Sequence, residues 1–465
     1  MATGFLARER TVAPAGWSRW LIPPAALSIH LAIGQAYAWS VFKTPLAATL
    51  LPGNPNAGVL TALPFELAII MLGLSAAVFG TKVDANGPRW AMVVASSCLV
   101  SGFLISALGC YLGQFWLVVV GYGFLGGIGL GIGYISPVST LIKWFPDRPG
   151  LSTGIAIMGF GGGALIASPL TNQLLAAFGG SGATPDVNGI AQTFLVMGLI
   201  YAVFMSVGWL LIRVPAQDWR PAGWDPAHAK TGALITTANV SARNAIRTPQ
   251  FWLLWVVLCF NVTAGIGILE RAAPIYSDFF PDATSPQALA AAAAGFVAML
   301  SLANSAGRIA WSTTSDFLGR KNMYRIYLGV GALLYLALTL LTNTNKVLFL
   351  LIAILLLSFY GAGFATVPAY LRDLFGTYQV GAIHGRLLTA WSTAGVLGPL
   401  IVNAIADSRI AAGVTGPGRY TLSFTIMVGL LVVGFVCNEL IRPVAERYHE
   451  QALTQDATKK TEARA

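Results

Sequence analysis

Charge is what this sequence lacks. Only 10% of its 465 residues are Asp, Glu, Lys or Arg, against roughly 25% in soluble domains. A soluble protein this apolar would have too few charges to cover its surface. Cysteine is scarce as well: Cys98, Cys110, Cys259 and Cys437 lie within or near apolar runs and show no CxxC spacing. That usage argues for buried structural thiols and against a disulfide framework or a metal site. A secretory pattern is missing too, because residues 1–18 are short and polar and the apolar run behind them is too long to be a cleaved leader. No basic stretch is interleaved with aromatics for stacking on bases, which excludes nucleic acid as a partner despite a net charge of +10. The segments between apolar runs hold no nucleophile–base pairing, metal-ligand cluster or phosphate loop, so neither an enzyme nor a bound cofactor or metal is expected.

What the chain has instead is long apolar runs, with 56% of its residues hydrophobic. A membrane span needs about 20 mainly apolar residues to cross roughly 30 Å of hydrocarbon. The pattern predicts twelve of them, at approximately 20–43, 57–80, 88–110, 114–140, 150–177, 191–213, 251–276, 287–314, 323–343, 347–371, 384–409 and 419–441. Each must be helical, since a lone span satisfies its own backbone hydrogen bonds in lipid. Arg8, Arg10 and Arg19 precede the first run, and Lys82, Arg89, Lys143, Arg148, Arg213, Arg320, Lys321, Arg372 and Arg386 then fall on the same side. Only Lys43, Arg271, Lys346, Arg409 and Arg419 fall opposite, which predicts that both termini are cytoplasmic in a plasma (inner) membrane protein.

The chain is predicted to be duplicated. Residues 214–250 form the longest polar interval and divide it into a first six-span half, 1–213, and a second, 251–442, with a cytoplasmic tail at 443–465. After span 2 comes a loop with Asp84, Gly87 and Arg89, and after span 8 one with Asp316, Gly319, Arg320 and Lys321. The offset is 232 both from 84 to 316 and from 87 to 319. Parallel halves of this kind are how one large transporter architecture is built, the major facilitator fold. In each loop Gly permits the tight turn, Asp can accept hydrogen bonds from a neighbouring helix N-terminus, and the basic residues pair with it or with lipid headgroups. Asp84, Arg89, Asp316, Arg320 and Lys321 are therefore expected to form a conformational latch. Glycines crowd spans 4 and 5, as in Gly121 to Gly133 and Gly159 to Gly163. Small residues let helix backbones approach closely, and their GxGxxG spacings are not nucleotide loops because no strand precedes them.

Few ionisable groups interrupt the spans. Arg308 is the clear case, with Asn304 four residues earlier on the same helical face. It lies roughly 12 Å along the helix from Asp316 at 1.5 Å per residue. Arg keeps its charge and offers a planar fork that matches a carboxylate; the alternative is a guanidinium that snorkels to the interface or pairs structurally. Glu66, His30 and Glu270 are the candidates to carry a proton, since desolvation moves the titration of a buried acid or imidazole towards neutral pH. The alternatives are a helix-to-helix hydrogen bond for His30 and a local pair with Arg271 for Glu270.

Tyr37-Ala-Trp39-Ser-Val-Phe42, Lys143-Trp144-Phe145-Pro146-Asp147-Arg148, Thr248-Pro249-Gln250-Phe251-Trp252 and His384-Gly385-Arg386 with Trp391-Ser392 resemble the oxalate/formate antiporter family, which is related to the monocarboxylate transporters. The resemblance runs over nearly the whole chain. It implies that Arg308 binds a substrate carboxylate, and that Tyr134, Phe160, Tyr360 and Phe364 line an aromatic cavity, with Asn304 and Tyr37 beside them. In the family's oxalate transporter a second cation sits in span 11, where this sequence has Trp391. One guanidinium and an aromatic wall suit one carboxylate; two cations suit a dianion.

The expectation is an all-α, twelve-span secondary transporter of small organic anions, favouring monocarboxylates and proton symport. Its partners are a small carboxylate, protons and membrane lipid, and it acts as a monomer. Carboxylate exchange is the alternative, and a membrane carboxylate sensor is a further one.

Overall fold

The computed structural model describes residues 4–182, 184–217, 219–225, 232, 234–281, 285–340 and 345–450, without the side chains of Glu270, Pro286, Gln287 and Ala290. The described chain is almost wholly helical. Ten helices are long and apolar enough to cross a bilayer: α2 (Ala57–Asn86), α3 (Pro88–Tyr111), α4 (Phe115–Trp144), α5 (Pro149–Ala177), α6 (Val187–Leu211), α7 (Pro249–Leu269), α9 (Arg320–Leu340), α10 (Lys346–Phe375), α11 (Val380–Ala411) and α12 (Thr421–Leu440). Ahead of them α1 is a bent pair, Arg19–Ala38 and Ser40–Leu50, meeting at 51°. The alanine-rich α8 (Pro286–Leu318), 33 residues long, completes the twelve. Leu74, Val78, Val203, Leu333, Leu351 and Leu400 stay exposed on these helices. Large apolar side chains left outward in such numbers require a hydrocarbon solvent, not water.

The helices begin and end where local chemistry dictates. Thr248 and Ser285 cap α7 and α8 by accepting from the backbone N–H of Phe251 and Ala288, each followed at once by a proline, which needs no N–H partner. The duplicated loops have matching turns. Gly87 (φ 89°) joins α2 to α3 and Gly319 (φ 85°) joins α8 to α9, in a backbone region that glycine enters without a Cβ penalty.

The described residues divide into two compact units. The first contains Met1–Pro146, Ile155–Pro221 and His384–Ser392, and the second Asp147–Gly154, Ala222–Ile383 and Thr393–Ala465. Two helix starts thus belong with the opposite half of the sequence: the first turn of α5 lies in the second unit, and the early turns of α11 in the first.

Within the first unit the glycine run of α4 sets the packing. A Cβ on Gly123 or Gly127 would press on Pro64 to Met71 of α2, and one on Gly129 would lie 2.8 Å from the backbone of Ala95 and Leu99 in α3. Successive glycines therefore serve alternate neighbours. The same crowding occurs where Gly34 of α1 crosses Phe160 and Gly163 of α5, beside the bend in α1.

Within the second unit polar ties secure the ends. Residues Thr236 to Ala242 of the interval between the halves bond to the α10–α11 turn, Val240 donating to the Phe375 carbonyl at 2.9 Å and Asn239 Oδ1 accepting from Tyr378 at 3.1 Å. At the other end Arg271 donates to Asn403 and Asp407 of α11, both at 2.5 Å. Asp278 accepts from Arg419 at 2.6 Å and from the Tyr420 hydroxyl at 2.7 Å. Burial, aided by that carboxylate, pushes the Tyr420 phenol above its usual range.

Candidate functional site

In the second unit the candidate centre is Arg308. Its side chain is wholly buried in α8, and Nε donates to Asn304 Oδ1 at 3.1 Å, one turn earlier. The guanidinium carbon lies 5.5 Å from the ring centroid of Phe364 on α10, within reach of a cation–π attraction. Tyr360 is one turn before Phe364 and so on the same face. Two glycines make the room: a Cβ on Gly265 of α7 would strike the Tyr360 ring, and one on Gly361 would strike Asn304. Of the predicted substrate residues, Arg308, Asn304, Tyr360 and Phe364 are thus brought together here.

The other four share the first unit. Phe160 of α5 stands between Tyr37 (5.3 Å between centroids), Tyr134 (5.5 Å) and Trp391 (5.9 Å). Tyr134, Phe160 and Trp391 are fully buried. Trp391 arrives on the early turns of α11, beside Ser392, whose hydroxyl donates to the Ile69 carbonyl of α2 at 2.7 Å.

The proton candidates fare differently. His30 is fully buried against Tyr134, the rings stacked at 5.2 Å. Glu66 lies on α2 with its side chain exposed. The hydropathy of the run around it gave no hint of which way it faces. The side chain of Glu270 lies outside the described residues. Arg271, the partner named in the alternative reading of Glu270, bonds to Asn403 and Asp407.

The two Asp loops each meet a helix start. Asp316 accepts from the backbone N–H of Gly150 and Leu151, both at 2.9 Å, in the first turn of α5. Arg320 clamps it at 2.6 Å and also reaches Asp373 at 3.3 Å. In the first unit Asp84 faces Lys143 and Arg386, the latter on the early turns of α11, and its carbonyl accepts from Arg8 at 3.3 Å. Two latch assignments need correction. Arg89 donates to the carbonyls of Trp209 and Phe5 at 3.2 and 3.1 Å. Lys321 donates to the carbonyls of Glu439 and Ile441 at 2.8 and 3.1 Å, capping the end of α12. The carbonyls of Trp209 and Glu439 lie in the last turns of α6 and α12, where intrahelical donors run out, and these cations supply the missing donors.

Two side chains escaped the sequence reading as site residues. His384 is 1% exposed, packs on Tyr134 at 5.6 Å, and its Nε2 has no partner among the described residues. Asn261 of α7 is 4% exposed against Gly363, with Oδ1 likewise unpartnered. His384 stood beside Gly385 and Arg386 in a recognisable motif, which was its one signal. Asn261 had none, being a lone amide in an apolar run.

The model of the Major Facilitator Superfamily matches residues 25–399 and 292–463. The chain belongs to the Major Facilitator Superfamily. Within this superfamily it is 28% identical to the oxalate:formate antiporter of Oxalobacter formigenes, over 84% of this chain and 86% of that one. It is 24% identical to monocarboxylate transporter 12 of Xenopus laevis, over 70% and 68% respectively. Among solved structures, the fucose:proton symporter of E. coli aligns with a TM-score of 0.61 at 16% identity, covering 90% of this chain and 98% of that one. The predicted fold, twelve helices in two halves, and the resemblance to the oxalate/formate antiporter family are borne out. The protein is a multi-pass membrane transporter.

Proposed function

We propose that this protein is a secondary active transporter of small monocarboxylates that works by alternating access with proton symport. One observation carries the substrate class: a fully buried guanidinium, Arg308, oriented by Asn304 and laid over the Phe364 ring. Occluding a guanidinium in the membrane is costly, and a carboxylate matched to its fork offsets that cost with charge-assisted hydrogen bonds. Occlusion is then favoured only with the anion aboard, and an accompanying proton makes the transported pair, anion plus proton, neutral in sum.

Trp391 supports one carboxylate over two. It is fully buried against Phe160 and brings no charge to the position where the resemblance led us to look for a second cation. The likeness to an oxalate:formate antiporter supports a second reading, exchange of one carboxylate for another. The cation asymmetry supports the plasma (inner) membrane with both termini cytoplasmic, and the polar interval 214–250 joins the halves 1–213 and 251–442 of a functional monomer. The Asp316 and Asp84 loops act as the latch.

Uptake of labelled formate, lactate and oxalate into proteoliposomes, with and without an inward proton gradient, tests the proposal. Monocarboxylate uptake that needs the gradient and vanishes in Arg308→Ala is expected. Uptake that ignores the gradient but requires an internal counter-anion means exchange. Strong oxalate transport refutes the reading of Trp391.

A further inference from the structure

The first unit holds two imidazoles packed on one phenol ring, and they are built in opposite ways. Each nitrogen of His30 faces a backbone carbonyl: Nδ1 is 2.6 Å from the Ala156 oxygen of α5, and Nε2 is 3.1 Å from the Tyr134 oxygen of α4. A carbonyl oxygen only accepts, and a neutral imidazole has a single N–H. A neutral His30 therefore sets one lone pair against another, while the imidazolium donates to both. Gly159 backs the ring closely, a Cβ there coming 3.0 Å from His30 Cβ.

His384 has no such cradle. It is 1% exposed, meets Tyr134 at 5.6 Å, and its Nε2 finds no acceptor among the described residues. Both imidazoles pack on the Tyr134 ring, so a second proton would sit desolvated beside a like charge. Interacting buried imidazoles titrate as a pair in two separated steps, and a like charge beside burial disfavours protonating both. Other ionisable groups on the elements packed here are few. α5 presents none; besides His30, α1 carries Tyr37, which packs on Phe160, and Arg19 and Lys43 towards its ends; α4 presents Tyr134 and, at its end, Lys143; α2 and α11 bring Asp84 and Arg386 near that same end. His384 also sits where α11 is shared, since residues 384–392 belong to the first unit and the remainder of the helix to the second.

We propose that His30 and His384, packed on Tyr134, are the proton site of this transporter. One proton is held on His30 between the two carbonyls, and neutral His384 is the partner that stays unprotonated beside it. Per cycle, one proton enters from water with the carboxylate and leaves to water on the other side. This rests on the symport reading above, and it replaces Glu66 as the carrier.

The test combines proton uptake on binding with transport. In weakly buffered detergent solution containing a pH dye, wild type is expected to take up about one proton per bound lactate, the linkage signature of a coupled site. His30→Gln should bind lactate and exchange it across proteoliposomes while taking up no proton and losing gradient-driven accumulation. His384→Lys, a permanent cation beside Tyr134, should reduce accumulation at least about tenfold. Wild type that neither takes up a proton nor responds to the gradient overturns the symport reading itself. Gradient-driven wild type with an unchanged pH profile and proton uptake in His30→Gln overturns this inference alone. Should His384→Lys fail to fold, the His30→Gln proton count and pH profile still decide.

Discussion

Replacing Asp316 by Asn should release the first turn of α5. The carboxylate accepts from Gly150 and Leu151 at 2.9 Å each and from Arg320 at 2.6 Å, with the Asp and Arg side chains 9% and 6% exposed. An amide keeps one oxygen for one N–H but turns its NH2 towards the other. The change loses a charge-assisted hydrogen bond, about 1.5–3 kcal/mol, and the favourable charge at a helix N-terminus, about 0.3–1 kcal/mol. Arg320 retains Asp373, so no bare buried cation is added to the loss. A total of about 2–4 kcal/mol corresponds to a shift of roughly 30- to 700-fold in the docking equilibrium. The assay is the maleimide labelling rate of a cysteine at Thr153, which is fully buried, in a background lacking the native cysteines and in inverted membrane vesicles. Labelling should accelerate by at least about tenfold in Asp316→Asn. A rate within about twofold of the parent, with lactate binding intact, would show that the carboxylate does not hold that turn.

Three other outcomes follow from the same geometry. Arg308→Lys cannot reproduce the fork or the bond from Nε to Asn304, so kcat/KM for monocarboxylate uptake should fall by roughly 30- to 150-fold, from about 2–3 kcal/mol; near-normal uptake would remove Arg308 from the site. Asn304→Ala frees the guanidinium to wander and should raise KM by about tenfold, a loss of about 1.5 kcal/mol. Gly361→Ala, whose Cβ would collide with Asn304, should match it, and a silent Gly361→Ala would refute the positioning argument. Glu66→Gln should leave the pH profile of uptake within about twofold of wild type, because the coupled proton is placed on His30, between the Ala156 and Tyr134 carbonyls.

Much of this protein was legible from residue chemistry alone. The membrane location, the twelve helices and the duplication follow from hydropathy, from backbone groups that must be satisfied in lipid, and from the paired Asp/Gly loops at 84–87 and 316–319. These are local or periodic properties, and a one-dimensional pattern carries them fully. Arg308 and Asn304 were also legible, since a guanidinium inside an apolar run and an amide one turn away need no tertiary information to stand out.

Tertiary structure decided what faces what. Glu66 and His30 read alike as polar groups in apolar runs, yet one is exposed and the other fully buried. Arg89 and Lys321 sit in the loops that promised a latch, but went to backbone carbonyls at 209 and 439, far away in sequence. His384 became a partner of Tyr134 only because the start of α11 packs within the first unit. Desolvation and hydrogen bonding depend on distances of a few ångströms between helices hundreds of residues apart. Sequence determines which groups are available for such contacts; the helix packing alone determines which of them meet.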